Sequence, residues 1–162
     1  METLHIVHSF EPVFDENSRV LILGSLPSVK SRENGFYYGH PQNRFWRVTA
    51  AVFGESVPLT VEEKRAMLLR NGAAIWDVVS ECDIMGSSDA SIRNVIPTDI
   101  AALLKKTAVR AVFTNGGTAD RIYRRYQLPL TGVEAVKLPS TSPANAAWQL
   151  DRLTEAWRVI AG

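Results

Sequence analysis

Four short apolar runs constrain how this chain can fold. RVLILGS (19–25), AAIWDVV (73–79), VRAVFTNGG (109–117) and VEAVKLPS (133–140) each have the length and continuity of a buried strand. Helical patterns separate them. NRFWRVTAAVFG (43–54) carries Phe45, Trp46, Thr49, Val52 and Phe53 near helical spacing, with Asn43 as its cap and Gly54 as its stop. TVEEKRAMLLRNG (60–72) has Thr60 as cap, Glu63 completing a capping box and Gly72 after the end. TDIAALLKKT (98–107) reads as a short helix capped by Thr98, and the last helix is expected from Pro143 to Ile160 with Ser142 as its cap. Segment 81–97, without a clean period, reads as a long loop. Strands alternating with helices predict an α/β fold, a three-layer α/β/α sandwich on a mainly parallel four-stranded sheet, with residues 1–162 as one domain.

Ligands of open parallel sheets sit off the carboxyl ends of the strands. Here those ends run into GSLPSVKS, WDVVSECD, TNGGT and LPSTSPANA, so the polar, Gly- and Pro-rich segments converge on one edge. The stretch YYGHPQNRFW (37–46) begins soon after the first strand and belongs to the same edge. It sets four rings around His40, Asn43 and Arg44. Asn43 has an ordinary reading as a helix cap, Asp77 as a satisfied strand-end carboxylate, Asn115 as a turn residue, and Phe36, Tyr37 and Tyr38 as core or rim aromatics. Together they describe a slot that stacks a flat ring and reads its edge with amides, which is how an extruded nucleobase is held.

Other chemistries lack their residues. There is no GxGxxG and no phosphate-binding GxxxxGK[ST], and GSLPS is not a serine-hydrolase elbow. Of the three histidines, His5 and His8 read as exposed bystanders, and there is no HExxH, so neither a metal nor any other cofactor is expected. Cys82 is the only cysteine, which leaves no disulfide within the chain and no iron–sulfur site, and fits a reducing, cytoplasmic setting. No apolar run approaches the ~20 residues of a membrane span, and the N-terminus has no secretory pattern. The net charge of +1 does not advertise a polyanion partner, though Arg44 and Arg47 stand one turn apart beside the aromatic stretch.

GSLPS (24–28), YYGHPQNRFW (37–46) and STSPANA (140–146), in this order, resemble the uracil-DNA glycosylase superfamily, most closely its hypoxanthine-DNA (deoxyinosine) glycosylase branch. Residues 74–100 also look like that branch, so the resemblance covers most of the chain. The first superfamily motif typically carries a catalytic Asp or Asn where this chain has Leu26. The hypoxanthine branch likewise lacks it and uses the Asn of HPxN, which carries over to Asn43. The second motif usually has His or Asn before Ser-Pro; here Thr141 stands there, so imidazole stabilisation of the leaving group is not expected.

The resemblance implies hydrolysis of the N-glycosidic bond of a deaminated base in double- or single-stranded DNA, by a monomer. Asn43 would orient a water through its amide oxygen. Backbone N–H groups of Gly24, Ser25 and Leu26, in the segment that ends at Pro27, or the side chains of Asp77 and Asn115, would meet the base edge. Phe36 is the favoured stacking ring, with Tyr37 and Tyr38 as alternatives. His40 fixes its loop or contacts phosphate. Ser140, Thr141, Ser142, Pro143 and Ala144 would press on the DNA, helped by the dipole of the last helix and by attraction from Arg44. The rivals are a mismatch-type uracil or thymine glycosylase, a free-nucleoside hydrolase using the same slot, and a non-catalytic nucleic-acid binding module.

Overall fold

The computed structural model describes residues 3–8, 10–26, 35–85 and 89–162. Its centre is a four-stranded parallel sheet in the order β3-β2-β6-β7, made by β2 (Val20–Gly24), β3 (Ala73–Asp77), β6 (Ala111–Asn115) and β7 (Ala135–Leu138). These are the four apolar runs. β2 is buried along its whole length, which is why its sequence runs apolar without alternation.

Successive residues of β2 feed two cores. Ile22 joins one built with α1 (Phe45–Phe53), α2 (Val61–Arg70) and the last α-helix (Leu150–Trp157), including Phe45, Trp46, Met67, Leu68, Leu153 and Trp157. Leu21 and Leu23 join the other. There they meet Ile100 and Leu103 of α3 (Ile100–Lys105), Ile122 of α4 (Gly117–Ile122) and Tyr123 of the π-helical turn that continues α4. Helical layers on both faces give the expected α/β/α sandwich. Among the described residues, no helix is long and apolar enough to cross a membrane.

Segment 81–97 is not a loop. β4 (Val79–Met85) pairs with both β1 (Thr3–Val7) and β5 (Arg93–Pro97) in a second, antiparallel sheet of order β1-β4-β5. Register shifts between β4 and β5 break the alternation that marks a strand in sequence. Only one face of β4 is covered, with Val79, Cys82 and Ile84 packed into the second core.

Helix ends are corrected in three places. α1 starts at Phe45 with Arg44 in the cap position, and Asn43 Oδ1 instead accepts the Phe45 N–H. α3 is capped by Asp99, whose carboxylate accepts the Ala102 N–H, while Thr98 Oγ1 donates to the Asp77 carbonyl. The final helix begins at Leu150, not Pro143. Residues 142–148 turn twice, with Asn145 N–H donating to the Ser142 carbonyl and Trp148 N–H to that of Asn145. α2 follows its sequence signals: Thr60 Oγ1 accepts the Glu63 N–H, and the Glu63 carboxylate accepts the N–H of Leu59 rather than that of the cap.

Candidate active site

The parallel register levels the strand ends. Gly24 pairs with Asp77, Leu23 with Thr114 and Asn115 with Leu138, so Gly24, Asp77, Asn115 and the chain leaving β7 share one edge. Gly24 is required there by space. A Cβ on it would lie 2.5 Å from Asp77 Oδ1 and 3.0 Å from the Tyr38 hydroxyl. Gly116 (φ 94) turns the chain after β6 against Ser140, whose Cβ would be 3.0 Å from an added methyl.

Three of the rings expected at the slot separate by depth. Phe36 is buried, stacks on Trp46 (centroids 6.0 Å apart) and lies under the Arg65 guanidinium, so the favoured stacking ring belongs to the core. Tyr37 is also buried, and its hydroxyl donates to the Glu11 carbonyl. Tyr38, half-buried at φ 53, lays its ring on Phe45 with centroids 3.9 Å apart. Its hydroxyl is buried without a hydrogen-bond partner among the described residues, near Asp77 and Asn115. Burial first, and the Asp77 charge second, push the Tyr38 phenol well above its ordinary range, so it stays protonated. Phe45 and Trp46 are core anchors, and Trp46 Nε1 donates to the Tyr37 carbonyl, binding the stretch to α1.

Asp77 has a partner that sequence reasoning missed. His8 is not an exposed bystander: its side chain is 5% exposed and that of Asp77 4%, with Nε2 2.8 Å from Oδ2. Nδ1 accepts the Phe10 N–H, which leaves Nε2 as the donor to the carboxylate. The two residues lie 69 positions apart, and only the unforeseen pairing of β1 with β4 brings them together. His5 is exposed, as expected, between Glu81 and Asp83, whose carboxylates raise its pKa. Gln127, buried under the turn after β3, donates to the Val78 and Thr98 carbonyls and supports Asp77 from below.

Asn43, Asn115 and Thr141 form one hydrogen-bonded unit. Asn115 takes the Thr141 N–H on Oδ1 (3.0 Å) and donates from Nδ2 to Thr141 Oγ1 (3.0 Å). Thr141 Oγ1 donates to Asn43 Oδ1 (2.8 Å), which also accepts the Phe45 N–H (2.9 Å). Thr141 is therefore fully buried and not a DNA contact. Both lone pairs of Asn43 Oδ1 are occupied, which conflicts with the expectation that this oxygen orients water.

Arg44 is likewise not a free cation. Its guanidinium donates to the carbonyls of Thr141 (3.3 Å), Ser142 (2.7 Å), Asn145 (3.1 Å) and Trp148. A helix from Pro143 would need the Ser142 and Asn145 carbonyls for its own ladder; instead Arg44 and the two turns take them, and the helix starts later. The dipole expected at Ser142 is therefore not there. Pro143 and Ala144 are exposed at the loop tip, and the hydroxyls of Ser140 and Ser142 accept the N–H groups of Ser142 and Ala144. His40 Nδ1 accepts the Gln42 N–H, so it fixes its loop. A cavity of about 630 Å³ opens beside this loop, lined by Gly117, Lys137, Ser140, Ser142, Asn145 and Trp148. Ser25 and Leu26 follow β2 half-buried, and Pro27 lies outside the described residues.

The Uracil DNA glycosylase superfamily model matches residues 11–161. A hypoxanthine DNA glycosylase of Methanosarcina acetivorans is 35% identical over 159 residues, covering 96% of this chain and 98% of that protein. A hypoxanthine DNA glycosylase of Methanosarcina barkeri is 40% identical over 86 residues, 52% of this chain and 54% of that protein. A solution NMR structure from M. acetivorans, assigned to the uracil DNA glycosylases, superposes with a TM-score of 0.81 at 32% identity, covering 98% of this chain and all of that one.

Proposed function

The chain belongs to the uracil DNA glycosylase superfamily, and from that premise we propose that it excises hypoxanthine from DNA as a base-excision repair enzyme. The observation that carries this is the gathering of Asn43, Asp77 and Asn115 at the carboxyl edge of the parallel sheet, beside the Tyr38 ring. Deamination turns an amino group into a carbonyl and puts a proton on the adjacent ring nitrogen. Hypoxanthine therefore shows an N–H where adenine shows a lone pair. A carboxylate accepts from that N–H and repels the lone pair, so Asp77, held by His8, favours the deaminated edge. Tyr38 is the ring on which the extruded base stacks, since Phe36 and Tyr37 are packed in the core.

The C1′–N9 bond breaks with its electron pair on the base. Water supplies hydroxyl to the sugar, and its other proton ends on the base. The transition state is positive at the sugar and negative at the base, so fixed donors at the base edge accelerate the reaction without a strong general base. Ser140, Ser142, Pro143, Ala144 and Lys137 face the flanking strand. The enzyme acts as a monomer in the cytoplasm, without a metal.

The test is base release from duplexes containing hypoxanthine, uracil or xanthine. Wild type should release hypoxanthine fastest, and Asn43→Ala should lose at least about 100-fold in rate while remaining folded, with a thermal midpoint lowered because the Thr141 hydroxyl and the Phe45 N–H lose their acceptor. Preferential release of uracil would move the chain to the mismatch-type uracil glycosylases. Salt-dependent DNA binding with no base released from any duplex would make it a binding module.

A further inference from the structure

We propose that Thr141 is a positioning residue, whose hydroxyl fixes the Asn43 side chain so that its NH2 group, not its oxygen, faces the substrate. The inference rests on the glycosylase reading and concerns the working of its central amide. Every hydrogen in the chain of contacts is assigned by backbone groups at its two ends. At one end the Thr141 N–H must meet an acceptor, which sets Asn115 with Oδ1 toward it and Nδ2 toward Thr141 Oγ1. A threonine hydroxyl has a single hydrogen. With Asn115 donating to Oγ1, that hydrogen is directed to Asn43 Oδ1, 2.8 Å away. At the other end the Phe45 N–H requires the same atom of Asn43 as its acceptor. Rotating the Asn43 amide by half a turn would set an NH2 against two donors at once.

What remains at the half-buried face of Asn43 is Nδ2, a neutral donor. A donor suits the side of the transition state that gathers negative charge, the departing base. It does not suit abstraction of a proton from water. Asn43 therefore acts by holding an N–H toward the base as the glycosidic bond lengthens. Thr141 makes this donor rigid, and Asn115 makes Thr141 rigid, so the amide needs no reorientation when the base enters.

The experiment is single-turnover release of hypoxanthine from an inosine-containing duplex by wild type, Thr141→Val, Thr141→Ser and Asn43→Asp, with DNA affinity and thermal midpoint measured in parallel. Thr141→Val keeps shape and removes the hydroxyl; it should slow base release by roughly 100-fold, the scale of a mis-set reacting group, with DNA affinity little changed. Thr141→Ser restores the hydroxyl and should recover most of the rate. Asn43→Asp supplies oxygens and no donor, and should be as inactive as Asn43→Ala. A Thr141→Val rate near wild type, or substantial activity in Asn43→Asp, overturns the proposal. Failure of the wild type to release any base would instead sink the glycosylase reading. In that event the relay is decided by the side-chain amide protons of Asn115 in an NMR spectrum. They are protected from exchange in wild type and lose protection in Thr141→Val if the relay exists; unchanged protection rejects it.

Discussion

Single side chains hold the carboxyl edge of the parallel sheet at tolerances near van der Waals contact. Gly24→Ala places a methyl 2.5 Å from Asp77 Oδ1, and the carboxylate cannot yield without leaving His8. Its expected outcome is a folded protein with base release reduced by at least about 10-fold, through a displaced Asp77, checked by single-turnover kinetics beside a thermal melt. His8→Leu removes the donor from a carboxylate that has almost no access to water. Leaving a buried charge unpaired costs about 3 kcal/mol, so chemical denaturation should show a loss of that order, and Asp77→Asn in the same background should restore part of it. At this scale the sequence identified Asn43, Asp77 and Asn115 as the polar groups of the edge, because strand ends and a Gly-Gly turn mark them. It could not assign their partners. His8 meets Asp77 across 69 residues and Thr141 meets Asn43 across 98, and nothing local to either position signals such a contact.

Among the elements, the decisive one has no regular structure. Segment 141–148 is held by the Arg44 guanidinium on one side, and Trp157 Nε1 fixes its approach by donating to the Pro139 carbonyl. A guanidinium meets several carbonyls at once because its donors are fixed in a plane, and an ammonium does not reproduce this. Arg44→Lys should therefore lower stability by about 2 kcal/mol, from carbonyls left without donors, and slow base release more than it weakens DNA binding. Denaturation curves and the ratio of rate to affinity check both parts. The regular elements were legible where burial on both faces made a run continuous, as in β2 and β3. They were not legible in β4 and β5, where shifted register and a single covered face erase the pattern. The helix expected from Pro143 failed because the signals for a cap, Ser142 followed by proline, also serve a turn.

For the molecule as a whole, charge and burial set two measurable limits. With Arg44 consumed by carbonyls, Arg47, Lys137 and Arg152 are the cations left around the site among the described residues. Three phosphate contacts give a slope of about −3 in a plot of log affinity against log salt, and a titration from low to moderate salt checks it. Three of the four tyrosines, Tyr37, Tyr38 and Tyr123, have phenols raised above the ordinary value of 10.0, in each case first by burial. The sign follows directly. A phenol whose folded pKa lies above its unfolded value favours the folded state below the unfolded value and loses that contribution as pH rises past it. These three groups should leave stability unaffected up to about pH 10 and erode it above. Phenolate absorbance from these three groups should then appear above the range of a free phenol, in step with unfolding.

The bond from Thr141 to Asn43 also has a consequence in time. Its partners are separated by 98 residues, and the loop that carries Thr141 is anchored by Trp157 near the far end of the described chain. During synthesis Asn43 emerges early, when only the Phe45 N–H two residues away can hold its oxygen. Even with α1 formed, the amide still lacks the second donor that holds it, the Thr141 hydroxyl. The Thr141 hydroxyl, the second of the two donors that set the Asn43 amide, thus takes its place only once the closing segment of the described chain has packed.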